Sequence, residues 1–86
     1  RERANAPDPF QYYVQVGAFR SAEEAEALRA KLSLAGYDPK VSMREVAGRQ
    51  LHRVRIGPID SKTQAEEVQQ KLNASKMASA LVRVQR

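Results

Sequence analysis

The 86-residue chain is long enough for one small domain and too short for two. Fifteen Lys and Arg against ten Asp and Glu give a formal charge of +5, and 42% hydrophobic with 29% charged residues marks a globular chain. With no cysteine and one histidine, His52, the composition excludes disulfides, thiolate catalysis, Cys-based metal sites and His-pair mechanisms. No apolar run reaches the roughly 18–20 residues of a membrane span, and no signal peptide opens the chain. A chain beginning at Arg1 without Met reads as a piece of something longer.

Residues 1–10 read as the end of a linker, and 11–86 as the domain. Pro7 and Pro9 stand among residues without periodicity, and Arg1 and Arg3 cancel Glu2 and Asp8. The stretch QYYVQVGAF is β-branched and aromatic, with Val14 and Val16 alternating against Tyr13 and Gln15, which predicts a half-buried strand ending at Gly17. Ser21 then opens a helix, with Ser21 and Glu24 as a capping box and Ala25, Leu28, Leu32 and Ala35 on one face. Gly36 is a natural left-handed stop. Residues 37–46 and 49–56 read as two strands joined by a turn at Ala47-Gly48. Ser61, paired with Gln64, opens a second helix with Ala65, Val68 and Leu72 on its stripe, and ALVRVQ is a last strand.

The chain matches itself at an offset of 40: Val14 with Val54, Val16 with Ile56, Gly17 with Gly57, Ser21 with Ser61, Ala25 with Ala65 and Leu32 with Leu72. Two amphipathic helices agree by chance in some positions, but matching glycines, caps and stripes in one register favour two strand–helix–strand units. Together they predict a βαββαβ, split-βαβ (ferredoxin-like, RNP-like) α+β fold, a four-stranded antiparallel sheet with both helices on one face. The first and third strands are expected at the centre, parallel to each other.

That arrangement buries Val14, Val16, Val54, Ile56, Val82 and Val84 under the helices. It leaves the other face to Tyr13, Gln15, Leu51, Arg53, Arg55, Leu81 and Arg83. Such a mixture suits a ligand that is partly apolar and partly hydrogen-bonding, although an open antiparallel face is often merely wet. From Lys40 to Arg55 the basic residues Lys40, Arg44, Arg49, Arg53 and Arg55 stand against Glu45 alone, a local charge of +4. The stripe serves solubility or attracts a carboxylate or phosphate polymer.

No catalytic constellation emerges. Ser21 and Ser61 read as caps, His52 has no Asp partner in sequence reach, and the carboxylates lie on exposed helix faces. Neither Gly17 nor Gly57 belongs to a phosphate-cradling motif. No metal and no cofactor are expected, and the chain reads as a binding module.

The runs Tyr13-Val14-Gln15-Val16-Gly17-Ala18-Phe19, Ser21-Ala22-Glu23-Glu24-Ala25 and Arg53-Val54-Arg55-Ile56-Gly57-Pro58 resemble the SPOR domain over about residues 11–85. The resemblance implies the same βαββαβ fold and noncatalytic binding of bacterial peptidoglycan. The preferred form is glycan strands of alternating N-acetylglucosamine and N-acetylmuramic acid denuded of stem peptides. It also implies that the module targets its parent protein, an amidase, a lytic transglycosylase or a membrane-anchored division protein, to the division septum. A location in the bacterial periplasm or cell envelope follows.

By the same resemblance the ligand-binding surface is the open face, with Tyr13, Gln15, Gly17, Ala18, Phe19, Leu51, Arg53, Arg55 and Leu81 as its residues. Ala18 replaces a frequent serine and Leu51 an occasional tryptophan, so a hydroxyl and a stacking ring are absent here. Arg53 would pair with the lactyl carboxylate that peptide removal frees on every second sugar, Gln15 with acetamido groups, and Tyr13 and Leu51 with sugar faces. A monomeric domain is expected, without membrane insertion and without nucleic acid as a partner. The alternative is single-stranded nucleic-acid binding through the open face of an RNA-recognition-like fold, which uses stacked aromatics on both central strands. Tyr13 alone is available for that, and QLHRVRI carries none. A third possibility is a ferredoxin-like interaction or dimerisation domain whose open face meets protein.

Overall fold

The computed structural model describes residues 8–86, so the linker reading of 1–7 lies outside the described residues. The order is β1 (Phe10–Phe19), α1 (Ala22–Leu34), β2 (Pro39–Val46), β3 (Arg49–Ile59), α2 (Lys62–Ala74) and β4 (Ala80–Gln85). Phe10 thus opens β1, pairs with Gln85 and packs against the core. The backbone N–H of Arg86 donates to the Pro9 carbonyl, fastening the two ends together.

The offset of 40 is visible in the backbone. The two helices occupy equivalent positions, and their ends are closed by equivalent bonds: Tyr37 N–H to Leu32 C=O, and Met77 N–H to Leu72 C=O. Ser21 accepts from the backbone N–H groups of Glu23 and Glu24, and Ser61 from that of Gln64. Both caps form, but the partner of the Ser21 hydroxyl is not Glu24. Its proton goes to the Glu23 carboxylate at 2.9 Å, because a residue two positions on reaches the cap from outside the first turn.

The sheet runs β2-β3-β1-β4, and every neighbouring pair is antiparallel. The central β1 and β3 are therefore not parallel, as the sequence reading had them. The helical crossover makes β2 parallel to β1, and the tight turn at Ala47 and Gly48, both at positive φ, reverses the chain into β3.

The core is a single layer between sheet and helices. Tyr12, Val14, Val54 and Ile56 from the sheet meet Ala25 and Leu32 of α1 and Ala65 and Leu72 of α2, with Leu28 and Val68 partly buried beside them. Ala35, expected on the α1 stripe, is instead the exposed C-cap. Small alanines near the N-terminal end of each helix let the backbone approach the sheet, and the leucines two turns on fill the space beyond.

Two irregularities and one register decide which side chains reach which face. In β1, Gln15 pairs with Arg55 and Gly17 with Val54, so Val16 is an extra, half-buried residue in a bulge. In β3, Gly57-Pro58 is the extra pair between Ile56 and Ile59. In β4, Leu81 stands opposite Val14 and Arg83 opposite Tyr12, which puts both on the helix side, while Val82 stands opposite Tyr13 on the open side. The expected assignment of β4 is therefore inverted: Val82 and Val84 are not core residues, and Val84 is 40% exposed.

Candidate functional site

The open face is built from cross-strand rows. Ala80, Gln15, Arg55 and Lys40 form one row across all four strands. The next row holds Ala18, Arg53 and Ser42, the one beyond it Leu51 and Arg44, and on the other side Val82 lies beside Tyr13. The surface consequently grades from apolar on β4, through an amide and a phenol on β1, to guanidiniums on β3 and a hydroxyl with two cations on β2. Period-two alternation of short strands is sufficient to make this plate.

Its charges have no internal partners. Among the described residues the ion pairs are Arg29 with Glu26, Lys40 with Asp38 and Arg86 with Asp60, and none involves Arg44, Arg53 or Arg55. Arg55 lies over the Tyr13 ring, 4.2 Å from its centroid. Arg53 and Arg55 each point an Nη2 at Ser42 Oγ, both at 3.4 Å. The Arg53 Nε–H is buried with no hydrogen-bond partner. Burial, and after it the charges of Arg55 and Arg44, lower the pKa of Arg53 from its usual value. A guanidinium remains protonated at any working pH, so this is a cation held at a cost that an anion would offset.

Of the residues the sequence pointed to, Tyr13, Gln15, Ala18, Leu51, Arg53 and Arg55 share this face. Arg53 and Gln15 are half-buried rather than freely exposed. Gly17, Phe19 and Leu81 lie on the other side. The β1 bulge shifts the alternation by one, so Gly17 faces the helices opposite Val54 and Phe19 opposite His52, where its ring packs on the core. A Cβ on Gly17 would meet the Phe19 ring at 2.9 Å and Leu28 at 3.0 Å, which makes this glycine a packing residue. Arg83 is also on that side, its guanidinium 4.3 Å from the Phe10 ring centroid. Sequence reasoning passed over Ser42 and Val82. A serine in the middle of the alternating run PKVSMREV, flanked by cations at Lys40 and Arg44, was the available signal for the first.

The comparisons with known proteins agree with this geometry. The SPOR domain family model matches residues 8–83. The endolytic peptidoglycan transglycosylase RlpA of Pseudomonas aeruginosa is 40% identical over 66 residues, which are 76% of this chain and 19% of that protein. The chain thus spans about a fifth of the length of the curated relatives it matches. The crystal structure of the RlpA SPOR domain from Pseudomonas aeruginosa superposes with a TM-score of 0.74 at 36% identity, covering 84% of this chain and 97% of that one. The solution structure of the peptidoglycan-binding domain of the B. subtilis cell wall lytic enzyme CwlC gives 0.72 at 24% identity, covering 91% and 94%, and shares the fold. With a family model matched from the entry of β1 into β4, and a single antiparallel sheet carrying both helices on one side, the chain belongs to the SPOR domain family.

Proposed function

We propose that this domain is a noncatalytic binding module for bacterial peptidoglycan, and that it prefers glycan strands from which the stem peptides have been removed. The observation that carries the reading is the cluster of Arg44, Arg53 and Arg55, none of them in an ion pair, around Ser42 on a flat, uncovered face. A denuded strand brings a free lactyl carboxylate on every second sugar, acetamido groups and apolar sugar faces. Those groups match, in turn, the guanidiniums, Gln15, and Tyr13 with Leu51. A strand with intact peptides lacks the free carboxylate and is bulkier at each lactyl site, so it loses both pairing and fit.

The names of two similar proteins, a peptidoglycan transglycosylase and a peptidoglycan-binding domain, support the same ligand class. We further propose that the module carries a longer parent protein to denuded wall at the division septum, within the cell envelope. An RNA-recognition-like role has less support. β3 presents Leu51, Arg53 and Arg55 to the open face, with no ring on which a base could stack.

The test is a pull-down of the domain with intact and with amidase-treated sacculi. Wild type is expected to be retained on the treated material, with Arg53→Ala and Gln15→Ala each lowering retention while the folded signal persists. Equal retention of both variants and wild type would move the site off this face. Capture by single-stranded RNA that falls steeply with salt, without capture by sacculi, would replace the reading.

A further inference from the structure

The part of the plate on β2 and β3 offers hydrogen-bond donors and almost no acceptors. Ser42 stands opposite Arg53 in the β2–β3 register, and its Oγ receives Nη2 of Arg53 and of Arg55, each at 3.4 Å. A hydroxyl has two lone pairs and one proton. Here both lone pairs face cations, which turns the proton away from them and toward whatever sits on the face. The side chains around it are Arg44, Arg53, Arg55 and Lys40, all donors only. Glu45, the acidic residue of β2, pairs with Gln50 and alternates to the same side as Met43, away from this cluster.

A neutral sugar hydroxyl or an amide placed here would find partners for its oxygen and none for its own O–H or N–H. Burying an unmatched donor beside two cations costs more than forgoing a bond. A carboxylate has no such donor. It can take a guanidinium N–H on each oxygen and the Ser42 proton as well, and it neutralises charge that now repels itself.

We propose that Ser42, Arg53 and Arg55 form a donor-only subsite for a free carboxylate, with Ser42 as the residue that separates a carboxylate from its amide. This rests on the glycan reading above and deepens it: the lactyl group is read as an acid, and not merely as a space left by a missing peptide. A lactyl group converted to a primary amide has nearly the same size as the acid, so shape alone gives no discrimination between the two. The buried, unpartnered Arg53 Nε adds to the demand, because a guanidinium short of one bond binds more strongly through the rest.

The experiment measures the affinity of the domain for a denuded glycan oligomer with free lactyl carboxylates. The comparison is the same oligomer with those groups converted to primary amides. Wild type is expected to favour the acid at least tenfold. Ser42→Ala, in which an edge-strand hydroxyl is removed without disturbing the core, is expected to bind the acid several-fold more weakly and the amide unchanged. Its preference therefore shrinks, and Ser42→Thr restores it. Equal affinity of wild type for both oligomers overturns the subsite while leaving glycan binding in place. An undiminished preference in Ser42→Ala overturns the part given to Ser42. Failure of wild type to bind either oligomer overturns the glycan reading itself.

Discussion

Arg55 reaches across the sheet to the Tyr13 ring, with 4.2 Å between guanidinium carbon and ring centroid, although its register partner on β1 is Gln15. The diagonal contact fixes a long side chain that would otherwise sweep solvent, and it does so beside Ser42. Tyr13 is in this sense both a sugar-facing surface and a rest for the cation. Replacing it with leucine should cost little stability, on the order of 0.5–1 kcal/mol for a half-exposed cation–π pair. Binding to denuded glycan should fall by more than that energy implies, since a released Arg55 must be re-ordered when the ligand arrives. Tyr13→Phe keeps the ring face and should bind close to wild type. Titration of the three proteins with one oligomer checks this, and equal loss in Phe and Leu variants would assign the effect to the phenol hydroxyl instead.

Most of the fold could be read from the chain because two independent signals coincided. The offset-40 match gave the order of elements, and the Ser21 and Ser61 caps gave the helix starts. The faces were harder. In ALVRVQ both parities are apolar (Ala80, Val82 and Val84 against Leu81), so alternation alone could not say which set enters the core, and only pairing with Val14 decides it. In β1 the pattern from Val14 to Phe19 alternates cleanly, yet a bulge at Val16 inverts the second half and carries Phe19 to the helix side. Bulges leave no mark in a hydrophobic pattern, so Gly17 and Phe19 were placed on the wrong face by counting. The arginines were legible as charge, whereas their convergence on Ser42 depends on the β2–β3 register.

That inversion makes Leu81 a residue whose loss should be felt in stability. It packs beside Val14 while remaining half-buried, so Leu81→Ala should cost about 1–2 kcal/mol, less than a fully enclosed leucine. Leu32 and Leu72 are both fully buried at equivalent places in the two halves, and each change to alanine should cost roughly 2–5 kcal/mol. Denaturant melts of the three variants give the ranking, and glycan binding by folded Leu81→Ala should match wild type. A stable Leu81→Ala that no longer binds would return this residue to the ligand surface.

Acid should weaken the fold through Glu23. Its own backbone N–H and the Ser21 hydroxyl hold its carboxyl below the usual glutamate range, with His52 adding a smaller pull. A carboxyl depressed in the folded state favours folding at every pH above its unfolded value, near 4.3, and that contribution disappears as pH falls through the folded value. Stability measured from pH 7 to 3 should therefore decline more steeply in wild type than in Glu23→Gln. Glu26, lowered by its bond to Arg29, adds to the same decline and persists in the variant. Identical slopes would mean that the Ser21 cap holds the helix end without help from the carboxylate.

The two halves close their helices in the same way with different residues. Gly36 follows α1 at φ 99°, and Lys76 follows α2 at φ 64°, both in the left-handed region. Lysine there carries the steric penalty of a Cβ against the carbonyl, roughly 1–2 kcal/mol, which glycine does not. Lys76→Gly removes it, and the greater freedom of glycine in the unfolded chain takes part of the gain back. A net stabilisation of about 0.5–1 kcal/mol is expected. The reverse change, Gly36→Ala, should destabilise by a similar amount; a Cβ there meets nothing within 4 Å, so only backbone strain acts. Melting both variants beside wild type checks the pair. Because the two positions are related by the repeat, opposite signs of similar size would show that the second half keeps the geometry of a glycine stop without the residue that suits it.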